Sequence, residues 1–296
     1  MGELPQDPSR LRLGSSLVSC SDSSRQLGEE LAGTAPVALA WALLLEHPPP
    51  YEHEPIESLA PDLLVRVNDL LRHSGKARLQ LMHRPGDIGR PPQVFVASTD
   101  PDAPRLVSVA YAELVEGDAQ DLRELFARGE PVEEPLYLVC AHGRRDACCA
   151  KRGVAFERAL RARVPGRVYQ TSHVGGHRFA ATAVVYPEAF YYGRLEPSDA
   201  ASLANAHEVG AIGPTQKLRG RASRAADAQA AEVFALRRMG ALSPTPTRLA
   251  RLPDGVFEIE IADSRTQLSV ERRPLAQDSQ KGCGEEPARL DAFVEL

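Results

Sequence analysis

Apolar positions along this chain change period several times, and the changes outline its elements. Residues 36–45 (PVALAWALLL) form a continuous apolar run. It fits a buried strand or a short helix, because periodicity does not choose between them at this length. The HPPPYEHEP that follows must be irregular, since three consecutive prolines remove donors and bar a helix. Leu59, Leu63, Leu64, Val67, Leu70 and Leu71 then recur at helical spacing, which predicts a helix over 56–71 stopped by Ser74-Gly75. Strands are expected at 78–82, 93–97 and 106–111, and a short helix at 121–126. Residues 1–30 are polar and are expected to be partly extended.

Charge and proline replace the apolar pattern at 129–135 (GEPVEEP), which marks a boundary. Beyond it the pattern reads strand (136–139), helix (149–164), strand (167–171), loop, two short strands (181–186 and 189–192) around Pro187-Glu188, and helix (199–208). A β-α-β unit followed by a hairpin and a helix is compatible with a thioredoxin-like fold. Further on, 225–239 is helical, and 256–261 and 266–270 alternate as a hairpin with one packed face. The expected organisation is therefore α/β, with an N-terminal α/β domain over 1–130, a thioredoxin-like domain over 131–212, and a helix plus β-hairpin extension over 213–296. No internal repeat is visible.

Composition adds bounds. At 43% hydrophobic and 25% charged, the 296 residues can bury a sizeable core in two compact domains. A formal net charge of -5 supplies no field to attract nucleic acid or an anionic membrane. No apolar run is long enough to span a bilayer. The N-terminus, MGELPQDPSRLRLG, lacks the apolar core of a secretory signal, so a cytoplasmic protein is expected. The composition is compatible with a homo-oligomer. Five cysteines, at 20, 140, 148, 149 and 283, make a poor disulfide framework and leave thiols free for metals or reactions.

The chemistry concentrates between Leu138 and Ala180. Cys140, His142, Arg144, Arg145, Cys148 and Cys149 follow a strand end, and Ser172-His173-Val174-Gly175-Gly176-His177 follows the next strand. His173 and His177 can reach one centre, and the two glycines let the backbone pass close to a bulky inorganic group. Cys149 is preferred to Cys148 as a ligand, since it sits where the helix begins and adjacent residues point apart. Two thiolates and two imidazoles suit Zn²⁺ and an iron–sulfur cluster alike. In the cluster case, neutral histidines replacing two thiolates raise the reduction potential and make it depend on pH.

The runs LYLVCAHGRRDACCAKRG and TSHVGGHRFAATAVVYPEAFYYGR resemble the sucrase/ferredoxin-like family, whose members carry a thioredoxin-like ferredoxin domain. The resemblance implies a [2Fe-2S] cluster on Cys140, Cys149, His173 and His177, and an electron-transfer role. YP-x₄-YG before the last helix of the unit is similar to the end of thioredoxin-like ferredoxins. Where related sequences carry a cysteine after LRGR, this chain has Ala222. With no GxGxxG or Walker sequence, electrons would come from a separate reductase, and the donor and acceptor proteins are unnamed by the sequence. The alternatives are a structural or regulatory zinc protein and a thiol- or cluster-dependent reductase using Cys148 and Cys149; carrier and enzyme both stay open. Arg144 and Arg145 could steer an acidic redox partner. Cys20 and Cys283 are expected to be packing or incidental thiols.

Overall fold

The apolar run resolves into a strand, β1 (Trp41–Glu46), because it lies between two others and has no free face: Leu43, Leu44 and Leu45 are at most 1% exposed. The computed structural model describes residues 19–86 and 89–296. The strands β2 (Ala77–His83), β3 (Val94–Ser98), β4 (Arg105–Val109) and β5 (Glu130–Pro131) follow. Then come β6 (Leu136–Cys140), β7 (Val168–Thr171), β8 (Ala183–Tyr186) and β9 (Phe190–Tyr192). After β10 (Ala211–Ile212), β11 (Leu218–Arg221) completes a ten-stranded mixed sheet in the order β11-β9-β8-β6-β7-β2-β1-β3-β4-β5.

Helices sit close to where periodicity puts them, with ends set by local chemistry. The helix expected from 56 is split. Pro61 occupies a first-turn position of α2 (Pro61–His73), and the residues before it make a separate 3₁₀ turn at Pro55–Ser58. Tyr111 opens α3 (Tyr111–Val115) rather than closing β4. Asp121 caps α4 (Leu122–Ala127) through the Glu124 N–H at 2.8 Å. Asp146 caps α5 (Ala147–Arg161), so both Cys148 and Cys149 lie inside its first turn. The extended reading of 1–30 fails over α1 (Cys20–Gln26), which Ser19 caps by accepting from the Asp22 N–H; residues 1–18 lie outside the described part. α6 (Ala200–Glu208) and α7 (Ala226–Met239) stand as expected.

The sheet has a repeat that the sequence does not display. In the second half β6 and β7 are parallel around α5, and the antiparallel hairpin β8–β9 continues from β6, giving the order β9-β8-β6-β7. This is the thioredoxin-like arrangement. In the first half β1 and β2 are parallel around α2, and antiparallel β3 and β4 continue from β1. The halves join at β2 and β7, antiparallel, through Met82↔Thr171 and His83↔Gln170.

The C-terminal part adds β12 (Ser243–Pro244), which pairs with β10, and the three-stranded sheet β13 (Pro246–Arg251), β14 (Phe257–Ile261) and β15 (Ser264–Leu268). A hairpin of β16 (Val270–Pro274) and β17 (Asp291–Glu295) follows. Phe257, Ile259 and Ile261 alternate inward onto α7, which is buried along most of its length. No helix among the described residues is long and apolar enough to cross a membrane.

Candidate metal centre

Topology collects the first group of ligating side chains. Cys140 ends β6 in register with Thr171, the last residue of the parallel β7, so the turn after β7 stands beside the β6 terminus. α5 crosses between the two strands, and its first turn returns to the same edge. The sulfurs of Cys140 and Cys149 and an imidazole nitrogen of His173 consequently lie within 4.8 Å of one another. His173 Nδ1 is 3.9 Å from each sulfur. Such close packing of helix on strand requires a glycine one turn on: a Cβ at Gly153 would fall 1.9 Å from the Cys140 carbonyl oxygen.

Both thiols are fully buried. Donation by the Cys149 thiol, with His173 beside it, holds the Cys140 pKa well below the usual thiol range against the opposing effect of burial. The Cys140 sulfur, together with burial, drives the Cys149 pKa upward. A second thiolate here needs a cation to accompany it.

The His173-to-His177 turn is held from below. His142 is buried; its Nδ1 accepts from the His173 N–H at 3.2 Å, and its Nε2 faces the Tyr51 carbonyl at 3.4 Å. Assigned from this network, the His142 proton sits on Nε2. Burial lowers the pKa of this ring. Arg219, in β11, is 2% exposed and donates to the Gly175 carbonyl at 2.8 Å and to that of Thr34. Gly176 has φ +73°, and a Cβ there would meet the Arg219 guanidinium at 2.6 Å. The bend thus depends on the missing side chain for both its backbone angle and its space.

His177 stands beside the tight group rather than within it. Its ring centroid is 5.1 Å from that of His173, tilted by 30°. Its Nδ1 is buried and has no hydrogen-bond partner among the described residues, and Asp146 Oδ2 is 4.0 Å away. Burial lowers the pKa of this imidazole too. A buried, orphaned ring nitrogen beside the His173 imidazole makes His177 a candidate ligand.

Arg144 and Arg145, which could steer an acidic partner, form ion pairs at the surface of this chain. They pair with Glu52 at 2.6 Å and Glu54 at 2.8 Å in the loop after β1. Tyr186 and Tyr191 share the apolar cluster that holds Cys140 and Cys149, whereas Tyr192 faces the opposite side and hydrogen-bonds His207.

A second group was not foreseen. Cys20 from α1, Asp146 and Cys148 at the start of α5, and Cys283 from the turn near the C-terminus place their ligand atoms within 4.8 Å of one another. Cys20 and Cys148 are buried. Donation by the Cys20 thiol and Ser21 holds Cys148 down at about 5, and the crowding raises Cys20 and Cys283. Spacing alone could not find this group, because its members are up to 263 residues apart. A cleft of about 750 Å³ lined by Arg105, Phe126, Val132, Arg167 and Glu188 touches neither group.

Residues 32–220 match the family described as Sucrase/ferredoxin-like. The chain belongs to the sucrase/ferredoxin-like family. All four expected ligands fall inside the match, and Cys20 and Cys283 fall outside it. An 86-residue stretch is 30% identical to "Altered inheritance of mitochondria protein 32" of Meyerozyma guilliermondii, covering 26% of this chain and 30% of that protein. A 91-residue stretch is 29% identical to the protein of the same name from Debaryomyces hansenii, covering 27% of this chain and 33% of that protein. The similarity thus spans about a third of these relatives or less. Family and geometry together agree with a metal-binding member of this family in a redox or structural role.

Proposed function

We propose that this sucrase/ferredoxin-like protein holds one [2Fe-2S] cluster on Cys140, Cys149, His173 and His177 and works as a single-electron carrier. The observation that supports it most is the meeting of two buried thiols and the His173 imidazole at the ends of β6 and β7, with the unpartnered His177 nitrogen beside them. When bound, such a cluster supplies reversible one-electron chemistry. The chain's own residues do the rest. β6 and the first turn of α5 fix the two sulfurs. His142 and Arg219 fix the histidine turn, and the surrounding apolar cluster keeps water from the thiols. Electrons would arrive from a separate reductase and leave to an acceptor protein.

The compactness of Cys140, Cys149 and His173 also suits a single tetrahedral zinc, and one measurement separates the readings. Anaerobically purified full-length protein should be red-brown, with about two iron and two acid-labile sulfide per chain. Colourless protein with zinc and no sulfide at this site would overturn the proposal.

A further inference from the structure

We propose that Cys20, Cys148, Cys283 and Asp146 form a second, separate site that binds one Zn²⁺. The sulfurs are 3.6 Å (Cys20 to Cys148), 3.4 Å (Cys283 to Cys20) and 3.2 Å (Cys148 to Cys283) apart, and Cys20 Sγ is 3.7 Å from Asp146 Oδ2. A tetrahedral zinc with Zn–S about 2.3 Å and Zn–O about 2.1 Å separates its sulfurs by about 3.8 Å and a sulfur from an oxygen by about 3.6 Å. The four side chains already approximate that tetrahedron. They are far beyond the roughly 2.05 Å of a disulfide.

The carboxylate is held in place. Asp146 Oδ1 accepts from the Cys148 N–H at 2.7 Å, and Oδ2 from the Cys283 N–H at 2.9 Å. Each oxygen keeps a lone pair for an ion. Cys20 and Cys148 pack with Ala180 in a small apolar cluster, so their sulfurs face each other rather than water. Three thiolates and a carboxylate in contact repel strongly unless a cation lies between them, and a thiolate-rich set selects a borderline-soft divalent ion. Binding is proton-linked and involves no oxidation: each thiol that coordinates gives up its proton to solvent.

The ligands join α1, the start of α5 and the turn near the C-terminus. That turn lies over His177, since a Cβ at Gly282 would approach the His177 Nε2 to 2.7 Å. A zinc here therefore ties both chain extensions down beside the first group. Cys20 and Cys283 lie outside the family-matched residues 32–220, whereas Asp146 and Cys148 lie inside them.

The test counts zinc, iron and sulfide in parallel, in full-length protein purified without chelator, by elemental analysis. The readout is the difference between wild type and two variants, Cys20→Ser and Cys283→Ser. Each variant should lose about one zinc per chain, retaining under about a tenth of it, while iron, sulfide and the visible spectrum stay unchanged. Cobalt(II) added to zinc-stripped protein should give the intense visible bands of a tetrahedral thiolate site, absent in Cys283→Ser. Cys283 is on an exposed turn, so Cys283→Ser leaves no core cavity, and far-ultraviolet circular dichroism checks its fold. Equal zinc in wild type and both variants overturns the proposal. So does zinc that is lost from Cys149→Ser but retained by Cys283→Ser. Failure of the cluster reading shows instead as missing iron and sulfide, and leaves the one-zinc difference intact.

Discussion

Gly153→Ala adds one methyl group where helix α5 meets the end of β6. The new carbon would sit 1.9 Å from the Cys140 carbonyl oxygen, against ordinary contact from 3.4 Å. The helix must therefore retreat by about 1.5 Å, because the van der Waals wall is steep. The strand cannot give instead. The Cys140 N–H is bound to Thr182 and the Ala141 N–H to Thr171, at 3.0 and 3.1 Å. Alanine is worth about 1 kcal/mol over glycine inside a helix. Overpacking a tight contact costs about 1–3 kcal/mol. These effects nearly cancel, so the expected net destabilisation is about 0–2 kcal/mol, and stability is a weak readout. The site is the sensitive one. Cys149 is one turn before Gly153 on the same helix and retreats with it, opening its 3.9 Å approach to His173. Metal affinity at the first group should fall about 10–100-fold, as it does when the supports of a metal site are disturbed. Iron and sulfide per chain after gel filtration, with far-ultraviolet circular dichroism as a fold control, check this. A Gly153→Ala protein that loads fully and shows the wild-type visible spectrum would refute the claim that this contact sets the thiol geometry.

Three further variants probe the supports. His207 is buried against Tyr192 Oη at 2.9 Å, and burial lowers its pKa from 6.5 to about 4. The folded state thus refuses a proton that the unfolded state accepts; stability is full above pH 6.5 and declines as pH falls toward 4, by up to about 3 kcal/mol. His207→Gln should flatten that acid limb in urea titrations run across the window, and an unchanged slope would remove His207 as its cause. Arg219→Met keeps the buried stem but frees the Gly175 carbonyl; iron retention should drop, and Arg219→Lys should not restore it, because an ammonium cannot reproduce the fork. His142→Phe leaves the His173 N–H without its acceptor, at a cost of about 1–3 kcal/mol by chemical denaturation; no loss would mean that this bond does not order the turn.

Much of the fold was legible because it is locally encoded. The apolar run at β6, the proline-glycine stop after α5 and the Pro187-Glu188 hairpin are each written in neighbouring residues, and they place Cys140, Cys149 and His173 at one edge without knowledge of distant contacts. α1 was missed although its signal is present: Ser19 and Asp22 have the spacing of an N-terminal cap, but the six residues after Cys20 are all polar and give no apolar period to notice. The strand expected at 266–270 runs instead over Ser264–Leu268, because the chain turns tightly at Ala262, which takes a positive φ that its side chain does not advertise. The repeated topology of the two halves was hidden because strand order is a property of pairing, and the halves carry different residues on the same path. The grouping of Cys20, Cys148 and Cys283 is set entirely by tertiary packing.

The seam between β2 and β7 has a consequence for anyone dissecting the molecule. The seam has two register pairs, is backed by an apolar cluster that draws on both halves, and covers the outer strand of the ligand-bearing half. Expressing 131–221 alone would bare the β7 flank, a row of unsatisfied peptide groups open to self-association. It would also strip Glu52, Glu54 and Tyr51 from the loop they steady. The first half thus serves its neighbour as an in-built guard against aggregation, because β2 keeps that edge capped.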